Sequence, residues 1–520
     1  MDFPDFLPLK TLETQHPDYM AIAPTLTRID DLAAGGHQLE AKKRQYLKPR
    51  TGEEQELYEL RLQKFTYTNV LGGAIAQQAS KLSSSSLSVT GLESHDKFWQ
   101  KFRENNNRKG RSEKQLLTET FRDALKFKRV YLHVEKPYLE VSPRTKQEEE
   151  ALGASPYICL YTPLHVTNWG EGDTTALDWI KIRQVTTVTS PFAKPALKAT
   201  WTFITGTHTA KYEAFVKLGK GGAIAELVNQ KGDTLETGED AKVSLLRAVP
   251  HRAGKLPVVM MEVPDDLWVT NQAYLKALEH LRLENSRSDT AEMVGYVQRT
   301  WKPHVVADTD LDHTFVDTEE ELKTGNQYVI KGDFSFSEAQ GTSLASVGGV
   351  LQEIRDVIQD MIGMARASAT KGAVEQSGIS KKLDYVVQEL ILKSYGSLVC
   401  DAYQDLLQLV AIVAGHRKEE AETISVTGLD SFDVDSLETM LAIAIEITQI
   451  EDHLPITVLK LFYQQLSNLL VKNASAEQQA QIAEEIEQLF DRSALLKDAV
   501  EAVKMKQIQQ AGDDPLPAAA

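Results

Sequence analysis

Cysteine is almost absent: Cys159 and Cys400 are the two in 520 residues. Both sit in apolar runs, "YICLY" and "SLVCDAY". Two thiols so far apart exclude a disulfide framework and a cysteine-built zinc site. They read as small buried hydrophobes in a reducing compartment. Positive charge is also scarce: 57 Lys and Arg stand against 74 Asp and Glu, a net charge of −17. That balance argues against a general nucleic-acid binder with a basic surface. It leaves room for a protein that handles DNA without gripping it. No run approaches 18 uninterrupted apolar residues, so the chain reads as having no membrane span. The opening "MDFPDFLPLK" is acidic and contains proline, unlike a secretory leader. Signatures of common chemistry are missing too. The 12 histidines form no H-x-x-x-H or H-E-x-x-H pair. There is no G-x-S-x-G elbow and no G-x-G-x-x-G after a strand. "KLGKGGAIAEL" lacks the residue order of a phosphate-binding loop and reads as a hairpin turn.

What is present is an order of segments in an α+β chain. Residues 1–90 read as helical, with Gly35-Gly36 closing one helix and a second helical region over 51–82. Residues 95–135 read as helical, ending in the strand-like "RVYLHVE". From 155 to 262, short β-branched and aromatic runs alternate with Gly, Asn, Asp and Pro, the mark of an antiparallel β domain. Residues 265–302 return to helix, with Asp265 or Asp266 as its cap. An acidic, strand-containing insert covers 303–343. A helix over 344–366 follows, with Leu344, Val347, Leu351, Ile354, Ile358, Met361 and Ala365 as a near-heptad seam. "MARASATKGAVEQSGISKK", Met364 to Lys382, then interrupts with four positive charges, one negative and no aromatic. A long helix runs from Lys382 to Ala414. The last part, 433–510, reads as all helical, with a Ser475/Gln478 capping box.

One acidic stretch invites a metal reading. "DTDLDHTFVDTE" puts Asp308, Asp310, Asp312 and Glu319 at positions one, three, five and twelve of a calcium-loop count. His313 takes the sixth position, where that loop needs Gly, so a solvated acidic loop is the better reading.

The order of segments resembles the bacteriophage portal proteins, in a branch first catalogued as a domain of unknown function in tailed-phage genomes. Four stretches carry the likeness: "RQYLKPRTGEEQELYELRLQKFTYTN" (Arg44 to Asn69), "PYICLYTPLHVTNWG" (Pro156 to Gly170) with "LDWIKIRQV", "GKLPVVMMEVP" (Gly254 to Pro264) and "ENSRSDTAEMV" (Glu284 to Val294). The likeness spans about residues 17–415. "KLSSSSLSV" departs from the family, where a Gly-x-hydrophobic-Phe element is usual, and the last 100 residues match only as a generic helical crown.

The resemblance implies a portal-type fold: a β-rich wing with N-terminal helices (1–264), stem helix 1 (265–302), an α/β clip (303–343) and stem helix 2 (344–366). A tunnel loop, long helix and return to the wing (367–432) and a helical crown with a frayed tail (433–520) complete it. It implies a structural protein of the virion rather than an enzyme, assembled in the host bacterial cytoplasm. It would form a homo-oligomeric ring, usually of twelve, at one capsid vertex, with double-stranded DNA passing through the channel. Partners implied are the terminase large subunit, a head-tail adaptor and the major capsid protein, with no membrane and no cofactor. The tunnel-loop residues would be Arg366, Ser368, Thr370, Lys371, Gln376, Ser377, Lys381 and Lys382, with the cations also readable as solvated helix-end charges. The clip contacts would be Asp308, Asp310, Asp312, Glu319 and Glu320. Two other readings stand beside it: another phage assembly protein, or a magnesium enzyme using Asp308, Asp310, Asp312 and Glu319.

Overall fold

A computed structural model of the chain describes residues 3–138, 148, 153–172, 176–191, 193–219, 222–251, 253–295, 298–303, 332–337, 342–362, 378–430, 459–460, 463, 467 and 481–488. The chain divides into two units, Met1–Phe432 and Asp433–Ala520. In the second, residues 481–488 are helical, and Ser475 and Gln478 lie outside the described residues.

The first unit opens with strand β1 (Phe6–Pro8) and helices α1 (Leu9–Glu13), α2 (Pro17–Ala34), α3 (Gly36–Ala41), α4 (Lys43–Tyr46), α5 (Gln55–Gln63) and α6 (Val70–Ser84). Strand β2 (Leu87–Thr90), helices α7 (Asp96–Glu104) and α8 (Glu113–Phe127), and β3 (Arg129–Glu135) follow. Residues 1–90 are therefore not all helical. The short β1 and β2 are stabilised from far away: Phe6 pairs with Ser244 and Val89 with Val426, partners that local periodicity does not reveal. Gly35 caps α2 with φ 61°, its N–H donating to Asp31 O, as its sequence position led us to expect. Helix α8 is started by a reciprocal capping box of Ser112 and Gln115.

The β domain is antiparallel throughout. It contains β4 (Tyr157–Tyr161), β5 (Val166–Glu171), β6 (Leu177–Ser190), β7 (Ala193–Thr205), β8 (His208–Leu218), β9 (Ile224–Val228), β10 (Thr234–Thr237), β11 (Lys242–Pro250) and β12 (Val258–Glu262). The large sheet runs β1-β11-β8-β7-β6-β5, with β9 beside β8 and β10 beside β9. Its buried face sets Trp201 and Tyr212 against Leu9 and Leu12 of α1. Lys181 on β6 is buried and donates to the carbonyls of Leu12 and Thr14, fastening α1 to the sheet. A smaller sheet, β12-β3-β4, is joined to the large one by Lys211 Nζ donating to Glu135 at 2.6 Å.

A helical arm leaves this domain. Helix α9 (Thr270–Gly295) runs out and β13 (Gln298–Pro303) pairs antiparallel with β14 (Gly332–Ser337). Helix α10 (Thr342–Met361) then returns along α9. Next come α11 (Gly378–Ala414), α12 (Lys418–Glu422) and β15 (Ser425–Gly428), which pairs with β2. Two expectations need correction. Helix α9 starts at Thr270 rather than at Asp265, because Leu267 and Trp268 first turn back onto Pro264 O while Asp265 pairs with Lys128 at 2.7 Å. Residues 298–303 are strand rather than helix: "QRTWKP" holds β-favouring Thr and Trp and has a pairing partner in 332–337.

The main core gathers α2, α6, α8, β3, α9, α10 and α11. Helix α11 contains a segment, Glu389–Ala414, that is long and apolar enough to cross a membrane. Its apolarity has a use inside the chain, where Leu392, Tyr395, Val399, Leu406, Leu407 and Val410 are buried in the core. Two seam residues of α10, Ile354 and Ile358, belong to the same core, as does Ile362 just past the helix end. A near-heptad seam invites packing against neighbouring subunits, but Ile354 and Ile358 are spent within the chain. They pack on α9 and α6 of their own chain.

Candidate functional site at the root of the arm

Two of the stretches singled out in the sequence, 44–69 and 284–294, meet at the outer half of α9. The joint is built from side chains on one face of that helix. Asn285 is buried, and its amide works both ways: Oδ1 accepts from Thr66 N–H at 3.1 Å and Nδ2 donates to Thr66 O at 2.8 Å. One asparagine thereby satisfies both backbone groups of a residue that no strand pairs. One residue earlier, both oxygens of Glu284 are taken by Thr68, from its N–H at 2.9 Å and its hydroxyl at 2.6 Å. A turn later, Asp289 accepts from Arg50 at 3.0 Å and lies 3.9 Å from Arg61. Beyond it, Glu292 pairs with Lys64.

Arg61 organises the other side. Its guanidinium is buried, donates twice to Glu53 at 2.8 and 2.7 Å and once to Lys48 O at 2.9 Å, and lies over the Tyr58 ring. This fork-on-fork bond holds the Glu53 carboxyl down at about 2. Tyr67 and Asn69 then tie the segment to α2. Tyr67 OH donates to Leu32 O at 2.8 Å, and Asn69 Nδ2 donates to Ala33 O at 2.8 Å and Ala34 O at 3.2 Å. These are the carbonyls that a helix end leaves without partners. Asn69 Oδ1 meanwhile accepts from Gly72 N–H, capping α6.

The two helices of the arm are joined by polar bonds as well. Arg355 of α10 donates from Nε to His280 Nε2 at 2.9 Å, and His280 Nδ1 stands 3.6 Å from Glu284 Oε2. His280 is 1% exposed, and burial pushes its imidazole below the usual histidine range. Further out, Arg287 lies across Gly348, where a Cβ would come within 3.4 Å of its guanidinium.

Nothing in this arrangement is a nucleophile paired with a base. The carboxylates are held by cations or by backbone, so the site is a joint that sets the direction of α9. Among the described residues no group of three His, Cys, Asp or Glu side chains could hold a metal ion. The residues expected to carry function lie elsewhere. Asp308, Asp310, Asp312, Glu319 and Glu320 fall outside the described residues, as do Arg366, Ser368, Thr370, Lys371, Gln376 and Ser377. Lys381 and Lys382 stand on α11, which begins at Gly378, so the segment expected as a loop to 382 is helical over its last five residues. The root residues had a signal in the sequence: Asn285, Asp289 and Glu292, spaced four and three apart, share one helical face. Their partners, some 216 to 239 residues away, had none.

No family model matches the chain, and no curated protein matches it. Among solved structures the fold is similar to chains of gene transfer agent particles. One is from the virion of the native particle, at 12% identity over 82% of this chain and 93% of that one, with a TM-score of 0.32. Another is from the neck of the empty particle computed with C6 symmetry, with the same identity and coverage and a TM-score of 0.34. A third is from the neck of the native particle computed with C12 symmetry, at 12% identity over 74% and 85% and a TM-score of 0.32.

Proposed function

We propose that this chain is a portal-type subunit: a non-enzymatic structural protein that closes into a ring at a capsid vertex and conducts duplex DNA. The observation that carries the reading is the arm. An antiparallel helix pair, α9 with α10, bears an antiparallel strand pair, β13 with β14. Its root joins two of the four stretches, 44–69 and 284–294, that carry the portal likeness. In this reading α9 and α10 are the stem, residues 303–343 the clip that meets the terminase large subunit and later a head-tail adaptor, and 1–264 the wing. Residues 364–382 face the channel, α11 stands behind them, and 433–520 form the crown, with the major capsid protein around the ring. A net charge of −17 keeps DNA phosphates from settling on the wall, and scattered cations such as Arg366 and Lys371 give contacts that salt weakens.

Light scattering and negative-stain microscopy of the purified chain test this directly. A closed ring of about a dozen subunits with an axial channel is the expected result. A monomer at every concentration up to the solubility limit, with and without DNA, overturns it.

A further inference from the structure

We propose that His280 is a proton-operated latch of the arm: neutral, it holds α10 to α9, and on protonation it lets α10 go. The inference rests on the reading of the arm as the working part of the molecule and names how that part is regulated.

The argument is one of donors and acceptors. A guanidinium only donates. Arg355 Nε–H points to His280 Nε2 at 2.9 Å, so Nε2 is the lone-pair nitrogen and the ring proton sits on Nδ1. A second proton goes to Nε2. That places two N–H donors and two positive charges at hydrogen-bond distance, and the bond to Arg355 cannot survive. Arg355 is only half-buried, so its head can turn to water. The imidazolium still has a partner, since Nδ1 faces Glu284 Oε2 at 3.6 Å, four residues on along the same helix. Protonation thus moves the histidine's bonding from between two helices to within one. Among the described residues, the apolar contact of Ile354, Ile358 and Ile362 and the Arg287 side chain lying on Gly348 also join α9 and α10. Apolar contact is non-directional and permits sliding.

The charged groups acting on His280 are Glu284 from α9 and Arg355 from α10. Helices α2, α6 and α8 also pack on α9, and among the described residues they place no charge on it. Burial and Arg355 both oppose protonation, so release falls below the usual histidine range near 6.5.

The test is a spin-label distance between α9 and α10 in the full chain. Leu275→Cys and Val350→Cys place labels at exposed positions, in a background of Cys159→Ala and Cys400→Ala and diluted with unlabelled chain. Between about pH 7.5 and about pH 5 the modal distance should shift by about 2 Å or more, the scale of a helix displacement. In His280→Gln, whose amide oxygen still accepts from Arg355, it should not move. An unchanged distance in the parent, or an equal shift in His280→Gln, overturns the latch. Should His280→Gln fail to fold, Arg355→Met replaces it: the latch is then absent at both pH values, and any remaining shift of the parent's size overturns the proposal. Ring formation is read separately by microscopy. A chain that never closes a ring sinks the portal reading alone, and a ring with a pH-blind arm sinks the latch alone.

Discussion

Asn285 shows how much one side chain can carry when it replaces a stretch of backbone pairing. Asn285→Ala leaves the N–H and C=O of Thr66 without partners in a buried joint, at a cost of about 2 kcal/mol that chemical denaturation will read. Asn285→Asp keeps the acceptor but loses the bonds that Nδ2 donates to Thr66 O and Leu281 O, so it should be no milder. At Arg61 the geometry of the fork is what matters. Arg61→Lys keeps the charge, breaks the double bond to Glu53 and the one to Lys48 O, and should cost about 1–3 kcal/mol. His133 sits fully buried on β3, near Glu135, Lys211 and His251, and burial pushes its imidazole down to about 4. The unfolded chain takes up that proton first, near 6.5. The stability it contributes is therefore complete above 6.5 and drains away as pH falls toward 4, by roughly 3 kcal/mol. Urea midpoints measured across that window should fall less steeply in His133→Gln than in the parent.

At the scale of elements, close packing of backbones explains glycines that no turn demands. Gly396 lies inside the 37 residues of α11, and a Cβ there would sit 2.0 Å from Leu429 O. The loop after β15 crosses the helix at that point. Gly396→Ala should cost about 2–3 kcal/mol in a thermal melt despite alanine's better helix propensity, because the obstacle is main chain and cannot step aside. An unchanged Tm would mean the crossing is looser than drawn. Gly72 has the same situation against Ala33 O, at 2.1 Å. Such positions mark the boundary of what the sequence makes legible. Helices with strong periodicity or a cap, such as α8 and α10, and the hairpins of the β domain can be read from local pattern. The two-residue signal Gly35-Gly36 located an end of α2. What escapes is whatever has a distant cause: β1 and β2 are strands because of residues more than 200 positions away, and "QRTWKP" is strand because 332–337 lies beside it. The root of the arm was legible by half, as two motifs whose meeting nothing local announces.

At the scale of the molecule, Met1–Phe432 has its own cores and its own strand pairings. A chain ended at Phe432 should therefore fold cooperatively and keep the Tm of its first transition; loss of cooperative melting would contradict the division. The burial of Ile354, Ile358 and Ile362 within the subunit also bears on assembly. With those residues already buried, contacts between copies in the proposed ring would fall to exposed groups, among them Leu57 and Leu60 on α5, which stand 56% and 49% open to solvent.

The root of the arm has a last consequence, in the order of folding. Its bonds close loops of 216 to 239 residues, so they form only after the whole β domain between them has been made and has brought the ends together. In kinetic terms the joint is a late event. Asn285→Ala should speed unfolding while hardly slowing refolding, whereas damage to the long β6–β7 hairpin should do the reverse. A ribosome emitting this chain would hold Arg50, Lys64, Thr66 and Thr68 without their α9 partners until nearly 300 residues had emerged.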